Sequence, residues 1–392
     1  MPRPRRITDD VKRLIALMHS ERKMNNIEIG AALGISESAV SKAIRECFEQ
    51  GRLRLTFNGE GISEQELRSL RATAGIKNEL KEQITRFPKT ASAVVTEPDV
   101  RVFQSGSAET TPEAWAARLR VFGEAVAPYI LHLISTSRVV GTSWGETLAC
   151  VIRGLRSRPP LLPKPPIHFV PLCGEMLEGP PRKASASNLS YRLDEVVNGD
   201  QSHSHSYWLA GVPSHAPIPE TQKGFTERQA AVIRSYIQSL PAHDRVFGLA
   251  PESPRHKRGE VPLIERVEMI LTSCGPKERP LGYDGVQLLK STRISAREAR
   301  KLIVGDISGV LLSTGEADKV AAINRAWMGA SLDHLRACAR RALAAPVPGV
   351  VLCATGANKA DSVLEIIRLG LVNRYVVDTD LWNQLRGRLL LR

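Results

Sequence analysis

The sequence predicts an α/β chain in two parts: an N-terminal winged helix-turn-helix and a C-terminal Rossmann-like domain built on a parallel sheet. Three observations predict this. From Trp115 onward, short apolar runs alternate with amphipathic stretches of helical length, the rhythm of parallel strands joined by helices. Two of these runs end in glycine-rich turns that open helices, Gly141-Thr142-Ser143-Trp144-Gly145 and Ala354-Thr355-Gly356. Residues 26–50 hold two short helical segments around Gly30 and Gly34, with apolar residues spaced to fill a wedge.

In chain order, residues 1–58 read as a helix-turn-helix domain of three short helices and a basic strand. Residues 59–90 read as a linker helix, with Leu67, Leu70, Ile76, Leu80 and Ile84 as its apolar positions. Residues 91–392 form the large domain. Its strand candidates are Arg138–Thr142, Ile167–Leu172, Arg245–Leu249, Val267–Leu271, Ile307–Leu312, Gly349–Cys353 and Tyr375–Asp378, with one more within 91–112. Helix candidates are 115–135, a helix from about Glu146, 225–239, 295–302, 331–343 and 358–369. The proline-rich 158–166 and the basic, turn-rich 250–262 read as connectors.

A chain of 392 residues holds two or three domains, and a hydrophobic fraction of 42% supplies their cores. No run of about 18 apolar residues is present, which excludes a membrane-spanning helix from the expectation. The opening MPRPRRITDD is basic with no apolar segment behind it, unlike a secretory leader. The six cysteines are scattered, without CxxC pairs, as in a cytoplasmic protein with reduced thiols. The net charge of +13 favours polyanionic partners.

The segment 25–57 is the sharpest motif. Gly30 stands where two crossing helices need a small residue, and Gly34 where the turn needs positive φ. Ile29, Leu33, Ile35, Val40 and Ile44 fill the wedge; Ser36 caps the second helix, with Glu37 in its first turn. The exposed face then offers Glu37, Ser38, Ser41, Lys42 and Arg45, hydroxyls and long cations suited to base edges and phosphates of duplex DNA. Arg52 and Arg54 follow as a wing, and Arg3, Arg5 and Arg6 form a basic arm. A helical hairpin whose charges simply face water is the bland alternative.

In the large domain, the two glycine turns let backbone N–H groups approach an anionic or polyhydroxyl ligand at helix N-termini, with Lys359 adding a cation. Asp306, in Val304-Gly305-Asp306-Ile307-Ser308-Gly309, is expected at a strand edge. Glycine turns of this kind also serve purely as strand-to-helix joints. Three histidines, His203, His205 and His215, lie close in sequence, but nothing around them has metal-ligand spacing, so a polar loop is the reading and no metal or cofactor is expected. Trp144 and Trp208 are candidates for stacking on a sugar ring, Trp144 more readily as a wall of the core or pocket.

The helix-turn-helix together with VGTSWGETL at 140–148, IVGDISGVLL at 303–312 and VVLCATGANKADSVLEIIRLGLVNRYVVDTD at 350–380 resembles the SorC family of sugar-sensing bacterial transcriptional regulators. The resemblance covers nearly the whole chain, more weakly over about 155–260. It implies an effector domain of the sugar-phosphate isomerase and coenzyme A-transferase type that senses rather than catalyses, a homotetramer or dimer, and an operator grip changed by a sugar or sugar phosphate. By motif match it implies Gly145 and Thr147 at the phosphate, Asp306, Gly356 and Lys359 at hydroxyls or the anion, and Asn188 as a further polar contact. Glu146 departs from the pattern: a carboxylate at the phosphate end repels an anion, so either the ligand is uncharged or Glu146 points away. Ser308 replaces a cysteine common in that block. Two other functions stay open: a regulator of this fold that binds no effector, and an isomerase-like enzyme with Asp306 and Glu146 as its acid and base.

Overall fold

The computed structural model describes residues 8–20, 24–49, 78–105, 111–157, 165–175, 184–199, 207–209, 211–218, 225–248, 261–278, 296–313 and 318–390. Arg3, Arg5, Arg6, Arg52, Arg54, His203 and His205 lie outside the described residues, as do most of the connectors at 158–166 and 250–262. Contacts divide the chain into a unit Met1–Leu70 and a unit Arg71–Arg392.

The small unit contains α1 (Asp9–Ser20), α2 (Asn26–Leu33) and α3 (Glu37–Glu49). Its core is Ile15 and Met18 from α1, Ile29 from α2, and Val40, Ala43 and Ile44 from α3, with Leu33 and Ile35 packed against them. Asn25 caps α2 in a reciprocal box with Glu28. Gly34 closes the helix at φ 65°, and a Cβ on Gly30 would stand 2.8 Å from the Ile35 carbonyl oxygen, so both glycines of the motif are required by geometry. Ser36 accepts the Ala39 N–H at 3.3 Å and caps α3.

The large unit begins, within the described residues, with a helix over 78–86 (α4). It continues through β1 (Asp99–Phe103), α5 (Pro112–Ser135), β2 (Val139–Thr142), α6 (Glu146–Arg156), β3 (His168–Pro171), α7 (Ala186–Asn198), α8 (Glu227–Gln238), α9 (Pro241–Phe247), α10 (Leu263–Arg266), β4 (Met269–Thr272) and β5 (Cys274–Gly275). After these come α11 (Ala296–Leu302), β6 (Ile303–Ile307), β7 (Val310–Ser313), α12 (Asp318–Ala326), α13 (Leu332–Ala344), β8 (Gly349–Ala354), a 3-10 turn at Ala357–Lys359, α14 (Ala360–Leu369), β9 (Arg374–Asp378) and α15 (Thr379–Leu390).

Six strands form one sheet in the order β1-β9-β8-β4-β2-β3, every pairing parallel. Its inner strands are apolar on both faces, as a sheet covered twice demands, while the edge strand β1 exposes Arg101. Alternate residues divide between the layers: Met269, Leu271, Val351, Cys353 and Val376 join the core under α5, α6 and α7, while Ile270, Val350, Leu352, Tyr375 and Val377 join the one under α13, α14, α15 and α4. Leu80 and Ile84 of α4 are buried in that second core. The strand order reverses at β2 and β4, so their carboxyl ends flank the crevice where ligands of open parallel sheets bind.

Two expected strands are otherwise. Arg245–Leu249 was expected as a strand, but Arg245, Val246 and Phe247 belong to α9, which starts at Pro241 with φ preset for a first turn. Among the described residues of its run only Val246 is deeply buried, and Arg245 instead stacks on the Tyr207 ring at 4.8 Å. Ile307–Leu312 was expected as one strand of the parallel sheet. It is a tight antiparallel hairpin, β6 turning at Ser308-Gly309 into β7, in a separate sheet of order β5-β6-β7. Ser308 adopts φ 49°, and its hydroxyl bonds that of Thr272 at 2.7 Å, which fixes the turn against the end of β4. Asp306 is accordingly not at a strand edge; it lies inside β6, opposite Gly275 and Leu311, and is 2% exposed.

His215 packs edge-on against Trp327 with ring centroids 4.8 Å apart, and Ser214 Oγ reaches its Nδ1 at 3.1 Å. Its Nε2 is buried with no hydrogen-bond partner, and burial lowers its pKa to about 4. Burial also lowers the pKa values of His243 and His334. A histidine held neutral in the fold stabilises it above the unfolded value of about 6.5 and loses that contribution as the unfolded chain gains the proton first. For His215, unfolding free energy is expected to fall between pH 6.5 and about pH 4, by up to about 1.4 kcal/mol per pH unit, and His243 and His334 add in the same direction. Urea unfolding of His215→Gln across that range should give a shallower decline than the natural chain; equal slopes would remove His215 from the account.

Candidate functional site

Each unit presents one candidate surface. On the small unit, α3 exposes Glu37, Ser38, Ser41, Lys42 and Arg45, while Val40, Ala43, Ile44 and Cys47 are buried. Ser38, Ser41, Lys42 and Arg45 follow at helical spacing and, with Glu46, line one shallow cleft. The Ser36 hydroxyl is engaged locally, 3.0 Å from Ser38 Oγ. Lys12 of α1 binds Glu46 at 2.7 Å and, chiefly through that hydrogen bond, holds the Glu46 carboxyl below its usual range. The pair ties α1 to the flank of α3, and sequence reading missed it, because nothing along the chain places residue 12 beside residue 46.

On the large unit the site grows from three strand ends. After β2, Gly145 takes φ 119° as the N-cap of α6 and makes no side-chain cap, so the opening of that eleven-residue helix is left bare of any protein oxygen from its cap. After β8, Gly356 takes φ 95° and starts the 3-10 turn that ends in Lys359. After β4 comes Ser273. Lys359 is only 6% exposed. Its ammonium donates to Thr147 Oγ1 at 3.3 Å and Ser273 Oγ at 3.4 Å, both neutral. Among the described residues no carboxylate forms an ion pair with it. The thiols of Cys274 and Cys353 are each pushed up to about 12 by burial, with the Lys359 charge opposing the rise in both, so the cation stands between the ends of β4 and β8.

The other expected contacts are placed as follows. Glu146 is exposed on the first turn of α6, whereas Thr147, its neighbour, is buried. The carboxylate therefore faces solvent; one turn along, burial raises the Cys150 thiol, and the Glu146 charge adds a smaller push in the same direction. Asn188 lies half-buried in the first turn of α7; that turn is tied to the site because Gly145 N–H donates to the Ala184 carbonyl at 3.0 Å and Ser185 Oγ accepts the Asn188 N–H at 3.4 Å. Asp306 acts on the same Cys274 thiol as Lys359, from inside the hairpin. The N–H of Gly356 is already given to Asp378, so this glycine serves the site by the shape of its turn. Trp144 is half-buried, 6.0 Å from Trp327, while Trp208 is 48% exposed beside Tyr191.

Two further residues belong here. Thr142 Oγ1, at the carboxyl end of β2, is buried with no hydrogen-bond partner, an orphan that a ligand oxygen would satisfy. Asp378, fully buried at the end of β9, accepts from Ser105 Oγ at 2.7 Å, Thr355 Oγ1 at 2.6 Å, Gly356 N at 3.1 Å and Leu381 N at 3.0 Å. The run Asp378-Thr379-Asp380 after an apolar strand was a visible signal for it. Among the described residues no cluster of three or more His, Cys, Asp or Glu is placed to hold a metal ion. None of their helices is long and apolar enough to cross a membrane.

No protein-family model matches this sequence, and no curated protein sequence matches it. Solved structures do. The full-length sorbitol operon regulator SorC from Klebsiella pneumoniae aligns at a TM-score of 0.53 and 16% identity over 96% of this chain and 99% of its own. This chain has the fold of that regulator. A DeoR family transcriptional regulator from Listeria monocytogenes aligns at 0.50 with 17% identity, covering 80% of this chain and 99% of its own. A transcriptional regulator from Streptococcus pneumoniae aligns at 0.51 with 15% identity, over 81% and 98%. The alignment with the sorbitol operon regulator spans both units in sequence.

A buried ammonium whose partners among the described residues are hydroxyls alone destabilises the fold in the absence of an anion. Lys359→Met, which keeps the length and removes the charge, is expected to raise the melting temperature of the ligand-free protein or leave it unchanged. A fall of several degrees on calorimetry would mean that the ammonium is a structural tie.

Proposed function

We propose that this chain is a DNA-binding transcriptional regulator whose operator affinity is set by a small phosphorylated sugar held by the large unit. The observation that carries the ligand reading is Lys359: a cation 6% exposed, with no counter-carboxylate among the described residues, beside the uncapped start of α6 and the orphaned Thr142 hydroxyl. A phosphoryl group answers all three at once, taking the ammonium, the Thr142 hydroxyl and the first N–H groups of α6, with the Thr147 hydroxyl beside the ammonium. Glu146, turned to solvent, leaves that anion unopposed. Asp306 and Asn188 are assigned to the sugar hydroxyls. The matched sorbitol operon regulator supports a sugar as the rest of the ligand. A sensor is favoured over an isomerase because Asp306 is enclosed in a hairpin and Glu146 is exposed, a poor disposition for a paired acid and base.

The DNA reading rests on the stripe Ser38, Ser41, Lys42 and Arg45 on the second helix of the motif, with Glu37 at its start and Ser36 as its cap. Arg52 and Arg54 are assigned to phosphates beside it. Two copies of the chain would read a partly palindromic operator.

A thermal-shift panel of sugars and sugar phosphates tests the first part. A ligand at a hundred times its dissociation constant should stabilise the protein by about 2.7 kcal/mol, and Lys359→Met should abolish the shift. Stabilisation by neutral sugars alone would sink the phosphate reading, and turnover of any sugar phosphate would replace the sensor by an enzyme. For the second part, a duplex selected from a random pool should bind with a steep salt dependence. Lys42→Ala with Arg45→Ala should lower the slope of log affinity against log salt by about 2 and weaken binding by roughly 60-fold at 0.1 M salt. Equal affinity for unrelated duplexes of the same length would refute sequence-specific regulation.

A further inference from the structure

The loop that carries Lys359 and the helix that leads to the DNA-binding unit are joined to the same element, α15. At its start, Asp378 caps α15 through the Leu381 N–H and, with the same carboxylate, holds Thr355 and Gly356 of the ligand loop and Ser105 after β1. Arg118, 6% exposed on α5, binds Asp380 at 2.5 Å and pins the first turn of α15. Along its length α15 buries Leu381, Trp382, Leu385 and Leu389 in the core that also takes Leu80 and Ile84 of α4. Arg386 Nε binds Glu79 Oε1 at 2.9 Å, and Arg388 binds Asp361 at the start of α14, directly after the 3-10 turn. From α4 the chain runs back toward residues 1–70.

We propose that α15 is the relay by which occupancy of the ligand loop reaches α4, with Asp378 as the positioning residue at one end and the Glu79–Arg386 pair setting the register at the other. This rests on the anion-site reading of Lys359 for its trigger, but the mechanical connection exists without it. A carboxylate with four donors cannot follow a movement of Gly356 without moving the cap of α15. A rigid helix packed on α4 passes that movement on, because close-packed interfaces shift as units. Sequence separation hides the connection, since Glu79 and Arg386 stand at opposite ends of the large unit.

Hydrogen exchange by mass spectrometry on the full chain tests both links. In the natural protein, inorganic phosphate should slow exchange at least threefold in residues 355–359 and also in 78–86. Arg386→Glu, which sets two carboxylates against each other, should keep the response at 355–359 and lose it at 78–86; adding Glu79→Arg should restore it. Protection of 355–359 without any change at 78–86 in the natural protein, or a response at 78–86 that survives Arg386→Glu, overturns the relay while leaving the anion site standing. Should phosphate protect neither segment, the anion reading fails, and a ligand-free variant still decides the relay. Thr355→Val removes one donor from Asp378, so exchange in 78–86 and α15 should rise at least threefold, with α7 on the opposite face of the sheet unchanged. An unchanged 78–86, or a uniform rise that includes α7, refutes it.

Discussion

The ammonium of Lys359 is the constraint around which the large unit is arranged. Taking a cation out of water costs several kcal/mol even after relaxation, and two neutral hydroxyls return only part of that. The chain nevertheless encloses it to 6% exposure, beside a helix start that carries no cap and a threonine hydroxyl with no partner. On the proposed function these incomplete features share one physical resolution, an anion with several oxygens. The parallel sheet makes the arrangement possible: strands running the same way deliver their following loops to one edge, so residues 145–147, 273 and 356–359 meet although more than 200 positions of sequence separate the first from the last.

Asp378 is the counterpart of opposite sign, and its treatment is the reverse. It is wholly buried and fully satisfied, with four protein donors from two loops and a helix start. Nothing remains on it for a ligand. On the proposed function one buried charge is left for an external partner, while the other, at the end of the neighbouring strand, fixes the geometry that presents the first. Gly356 stands between them, giving its N–H to the carboxylate while its turn carries Lys359 into place.

In the small unit the same economy of charge appears on a surface. Lys12 neutralises Glu46 on the flank of α3, which leaves Lys42 and Arg45 as the cations of the exposed stripe. Apolar residues on the buried side of α3 and the close passage at Gly30 set the angle at which that stripe is offered.

Local rules determined a good deal of this protein. Gly30, Gly34 and Ser36 declare the helix-turn-helix because φ, steric room and capping are properties of a few consecutive residues. The doubly apolar strands around Val139, Ile270, Val350 and Val376 declare a covered parallel sheet for the same reason. Lys359 and Thr147 were legible as candidates from their glycine turns. What the sequence left open is whatever depends on distance through space. A run such as Ile303–Ser313 is equally apolar as one strand or as a hairpin, and only the Thr272–Ser308 bond and the pairing with β5 settle it as the latter. Asp378, Lys12 with Glu46, and Glu79 with Arg386 have no local signature of partnership, because a hydrogen bond or ion pair is decided by where the fold returns the chain, and that is a property of the packed tertiary structure alone.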